Sequence, residues 1–76
     1  MKVLHEEYGE RLCRRDDGSL ALTVLVGTIG EYEITIVLNS EEEEGYSAGG
    51  EYFAHTLALK VAKDPHRYIP RAVSEE

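Results

Sequence analysis

The chain has one cysteine, no tryptophan, two prolines and no apolar run long enough to cross a membrane. A lone thiol, Cys13, excludes an internal disulfide framework and a cysteine-rich zinc centre, and it fits a reducing compartment. No stretch approaches the roughly 18 consecutive apolar residues of a spanning helix. The opening MKVLHEEYGE lacks the apolar core of about 7 to 15 residues that a signal peptide carries, and acids arrive at Glu6, so a cytoplasmic protein is expected. Basic residues are missing altogether between Glu31 and Glu51. Seven acids stand there: Glu31, Glu33, Glu41, Glu42, Glu43, Glu44 and Glu51. Acids and bases balance over the rest of the chain, so the net charge of −7 resides in that one segment. Such a field repels phosphates and anionic lipid and attracts basic protein surfaces, which argues against direct nucleic acid or membrane binding.

With 76 residues the chain allows one domain, residues 1–76, and 42% hydrophobic content places it among globular rather than disordered chains. A domain of this size buries only about 60% of its unfolded surface, so self-association or a partner is an expected source of added stability. Ser19 to Val26 (SLALTVLV) alternates, with Leu20, Leu22, Val24 and Val26 on one side. Glu31 to Asn39 repeats this with Tyr32, Ile34, Ile36 and Leu38. Both read as strands with one apolar face, joined through the glycine-flanked link GTIG into a hairpin. Asp17-Gly18 predicts a second tight turn, which pairs this unit with a strand over residues 10–15. Residues 2–9 are two-sided: Leu4, Tyr8 and Leu12 recur at helical spacing, whereas Gly9 suits an extended chain with a bulge, and the strand is favoured.

Downstream, SAGGEYFAHTLALKVAKDP predicts a helix capped by Ser47 and stopped at Asp64-Pro65. Phe53, Ala54, Leu57, Ala58 and Val61 share one arc, with Gly50 letting the helix approach the sheet, while Tyr52 and Leu59 fall on the polar side. The expected fold is therefore α+β, a three-stranded antiparallel meander covered by one C-terminal helix, with residues 70–76 fraying. Double-stranded RNA-binding domains end in the same order of elements. The resemblance stops there, because their lysine-rich helix start is replaced here by EEEEGYSAGG, and no RNA-binding residue carries over.

The run Glu41–Glu44 reads most simply as a solvated loop, begun by Ser40 with Glu43 as a capping partner. Joined by Glu31 and Glu33 from the strand and Glu51 from the helix, it also reads as one acidic surface able to imitate phosphates before a basic groove. Tyr46, Tyr52 and Leu59 are the expected apolar contacts beside it. Glu51 and His55 stand four apart on a helix, and His5 opens HEE, but no hydrolase spacing such as HExxH occurs. An ordinary i,i+4 pair is the simpler reading, so no metal, no cofactor and no catalytic residue is expected, and a small metal-dependent enzyme built on His5, Glu51 and His55 stands last. Neither a P-loop lysine nor a nucleophile elbow is present.

In size, charge and simplicity the chain is similar to small acidic inhibitors as a class, among them phage anti-CRISPR proteins, other nucleic acid mimics and nuclease immunity proteins. That resemblance implies a non-catalytic protein that blocks or regulates a basic partner, such as a CRISPR effector or another nucleic-acid-binding complex. A homo-oligomerising scaffold module, in the simplest case a homodimer, is the alternative.

Overall fold

The computed structural model describes residues 2–27 and 32–73, so the link at 28–30, Glu31 and the terminal residues 74–76 lie outside the described residues. Strands β1 (Lys2–Glu7), β2 (Glu10–Arg14), β3 (Leu20–Val26) and β4 (Tyr32–Val37) form one open antiparallel sheet in the order β1-β2-β3-β4. Helix α1 (Ser40–Lys63) crosses one face, followed by a short helix α2 (Pro65–Tyr68) and a single 3-10 turn (Ile69–Arg71). The α+β class and the meander hold, but the sheet has four strands rather than three. Residues 2–9 supply the additional strand and its turn, because Tyr8-Gly9 closes a two-residue hairpin in which Gly9 takes φ +85 at the second central position.

The registers sort the side chains by face. His5, Leu12, Leu22 and Ile36 stand opposite one another across all four strands, and Glu7, Glu10, Val24 and Ile34 form the next row. This is the face that α1 covers with Ala54, Leu57, Ala58 and Val61. Leu12, Leu22, Ile36 and Val61 are fully buried at its centre. On the other face lie Glu6, Arg11, Thr23 and Thr35, with the two threonine hydroxyls 2.8 Å apart. Tyr32 belongs by phase to the inner face, yet at the sheet's end it is exposed.

The helix begins earlier than the glycines suggest. Asn39, not Ser47, is its cap: the Asn39 side chain accepts from the Glu42 amide at 2.9 Å, and Glu42 Oε1 accepts from the Asn39 amide at 2.9 Å. This reciprocal box satisfies two donors that a helix start leaves unpaired, and three acids in the first turn suit the dipole. The run Glu41–Glu44 is thus helical, not a loop. Gly50 then breaks the helix, at φ 59 and ψ −140. Its expected role in close approach to the sheet is not observed: a Cβ there would meet nothing within 4 Å, so the backbone conformation is what requires glycine. Across the bend the Phe53 ring folds onto Gly45, where a Cβ would lie 2.5 Å from the ring. Eight residues of straight helix would separate the two by about 12 Å.

Residues 70–73, expected to fray, dock instead. Ala72 bridges to Ile36, and the Val73 amide donates to Thr35 O at 2.8 Å, which covers part of the β4 edge. Arg71 grips Glu42 through both guanidinium nitrogens, at 2.6 and 3.1 Å, donates to Val37 O at 3.1 Å and lies over the Tyr68 ring. Burial opposes the Glu42 charge, but the Arg71 and Asn39 hydrogen bonds outweigh it and hold the carboxyl below its ordinary range. Such a pair stabilises above pH 4.5 and is lost as pH falls through the depressed value. Arg71→Ala should therefore cost about 1–2 kcal/mol at pH 7 by urea denaturation, the value for a charged hydrogen bond reduced for partial exposure. The deficit should shrink near pH 3.

Candidate functional site

Around Glu10 the structure gathers side chains that the sequence keeps far apart. In an unbroken β1 the phase set by Val3, opposite Cys13 on the outer face, would turn His5 outward as well. A register shift between Val3 and His5 places Leu4 in a bulge, so His5 stands opposite Leu12 on the helix side. There it is 5% exposed, and Glu10 is 8% exposed. His5 Nε2 lies 2.8 Å from Glu10 Oε2, and Nδ1 lies 3.1 Å from Glu51 Oε1. The other oxygen of Glu10 accepts from His55 Nδ1 at 2.9 Å. Glu51 and His55 come from the first turns after the Gly50 bend, which sets their approach to the sheet.

Only the imidazolium has an N–H on both ring nitrogens, so His5 donates to both carboxylates in its charged form. Burial opposes that charge, but the hydrogen bonds and the negative charges of Glu10 and Glu51 overcome it and hold His5 above the ordinary histidine range. This contribution to stability is therefore full below about pH 6.5 and fades as pH rises through the elevated value. Glu10 is left as a buried carboxylate between two imidazoles.

One side of this cluster opens. A groove of about 270 Å³ is lined by Tyr8, Glu10, Val24, His55, Ala58 and Leu59 among others. Two of its lining residues are apolar and exposed, Tyr8 at 91% and Leu59 at 55%; Tyr52, seven residues before Leu59 on the same side of the helix, is 79% exposed.

The expected acidic surface comes apart. Glu33 stands opposite Leu25 on the face turned away from the helix, at the Val26–Tyr32 end of the sheet, whereas Glu41–Glu44 begin α1 at the opposite end. Glu42 is engaged with Arg71, and Glu51 with His5. Glu41 and Glu44 remain exposed with Glu43 half-buried beside them, and Glu31 lies outside the described residues. Tyr46 is half-buried and packs against the core, whereas Tyr52 and Leu59 are exposed. The structure adds Glu10 and Tyr8, which the sequence pattern does not single out. Glu10 had a signal, since it shares the inward phase of Leu12 two residues on, and an acid on a buried phase needs partners. Comparison of the chain with protein-family models, with curated proteins and with solved structures finds no match.

Proposed function

We propose that this chain is a non-catalytic acidic binding protein that blocks or regulates a basic, nucleic-acid-handling protein partner. The observation that carries the reading is the exposed pair Tyr8 and Leu59 lining a groove with a buried carboxylate at its edge, with exposed Tyr52 two turns before Leu59 on the same helix side. Large exposed aromatics grouped on rigid elements are what a desolvated interface centre requires, and isolated surface leucines are not. Glu41, Glu43 and Glu44, on the first segment of the same helix, would act at longer range by steering the encounter. A CRISPR effector is one partner of suitable charge.

Strand-to-strand self-association is less favoured. The free edge, β1, carries a bulge and the charged residues Lys2, Glu6 and Glu7, features that discourage edge pairing. The opposite edge is partly covered by Ala72 and Val73.

The test is affinity capture from bacterial lysate and with purified CRISPR effector complexes, at low and high salt, with a variant carrying Tyr8→Ser, Tyr52→Ser and Leu59→Ser. A partner held by the native chain at low salt, weakened by salt and lost with the variant is the expected outcome. Equal capture by both proteins would remove these side chains from the interface and the reading with it.

A further inference from the structure

We propose that His5, Glu7 and Glu10 bind a divalent first-row transition ion, zinc by the chemistry of its donors. The ligand atoms of these three side chains all lie within 4.8 Å of one another. His5 Nε2 and Glu10 Oε2, 2.8 Å apart, need to part by only about 0.6 Å to reach the roughly 3.4 Å spacing of two donors held about 2.1 Å from one tetrahedral ion. A metal would take the place of the His5 Nε2 proton, which leaves to solvent as the ion binds.

Three further features point the same way. Glu51 accepts from His5 Nδ1, and a ligating histidine characteristically gives its second nitrogen to a carboxylate, which fixes the ring and raises its basicity. Across the Tyr8-Gly9 turn, Glu7 stands directly opposite Glu10 on the same face. Like charges so placed repel, and a cation between them converts the repulsion into binding. Glu7 is exposed at the turn, so an ion can reach the site from solvent. His55, on the remaining oxygen of Glu10, orients that carboxylate from the helix. One imidazole with two carboxylates suits zinc better than calcium or magnesium, which favour all-oxygen shells.

The chemistry is binding, with no bond made or broken in a substrate. Its structural effect is to fasten the β1–β2 turn, and hence Tyr8, to the sheet end beneath α1.

The experiment uses the full chain, free of any histidine tag and stripped by a chelator, titrated with zinc chloride by calorimetry and by thermal shift in the presence of excess magnesium. Stoichiometric binding and a rise in melting temperature are expected. His5 and Glu10 variants risk the fold, so the decisive substitutions are at the exposed positions. Glu7→Gln should weaken binding well over tenfold, and Glu51→Gln, which acts through His5, by about tenfold. His66→Gln, outside the cluster, should bind as the native chain does. No heat and no thermal shift with the native chain would overturn the proposal. So would equal affinity in Glu7→Gln, which would mark the binding as nonspecific.

Discussion

Glu10→Leu is expected to destabilise the chelator-treated protein by about 3 kcal/mol, the lower end of the loss when one partner of a buried ion pair is removed. His5 would keep a nine-tenths buried ring and lose the acceptor on Nε2, with the exposed Glu51 as its remaining partner. Deprotonation offers an escape at neutral pH, which keeps the loss at the low end. The double variant His5→Leu with Glu10→Leu should recover most of the loss. Position 10 shares a row with Val24 and Ile34, position 5 with Leu22 and Ile36, so apolar side chains fit both neighbourhoods. Urea denaturation of the singles and the double checks this as a mutant cycle. A neutral Glu10→Leu would mean that the carboxylate is solvated and the cluster does not form.

Gly50→Ala is expected to cost about 2 kcal/mol, because φ 59 with ψ −140 belongs to a region that L side chains avoid. The cost is backbone strain rather than collision, as open space surrounds the Cβ position. The mirror image of these angles is ordinary polyproline II backbone for an L residue, so a D-alanine at position 50, introduced by chemical synthesis, should restore stability. If D-alanine were as harmful as L-alanine, the left-handed bend would be the wrong description. The loss should also reach the site, because a straightened helix carries Glu51 and His55 away from His5 and Glu10 and lifts Phe53 from Gly45. Gly45→Ala gives an independent view of the same bend, since its methyl would have to displace the Phe53 ring.

The sheet and the buried arc of the helix were legible because each writes its period into the sequence. Leu20, Leu22, Val24 and Val26 alternate, and Ala54, Leu57, Ala58 and Val61 recur at helical spacing. The helix start was not, since the stretch has no apolar period and GYSAGG, with three glycines after the glutamates, is poor in helix propensity. A local cap decided it: the working pair is Asn39 with Glu42, one residue before the Ser40 and Glu43 that the pattern suggests. His5, Glu51 and His55 were visible as donors but not as neighbours. Their meeting depends on a bulge at Leu4 and a bend at Gly50, and a bulge has no obligatory residue type. The acidic surface failed for the opposite reason, because nearness in sequence does not imply a shared face: Glu33 and Glu41 are eight residues apart and lie at opposite ends of the sheet.

The candidate binding face therefore moves from the glutamate run to the turn and helix around Glu10. The same placements change how the run should be altered. Glu42 supports the helix start and the chain end, so a charge-removing variant should carry Glu41→Gln, Glu43→Gln and Glu44→Gln and leave Glu42 in place. Partner binding by that variant should be slower at low salt, with the same partner retained, as steering acts on association more than on the bound complex.

Amide hydrogen exchange, recorded on the protein alone and in complex with the partner it captures, tests the binding face most directly. Added protection over residues 8–9 and 52–62, with residues 41–48 little changed, is the expected footprint. Protection confined to 41–48 would contradict it, and would return the interface to the glutamates.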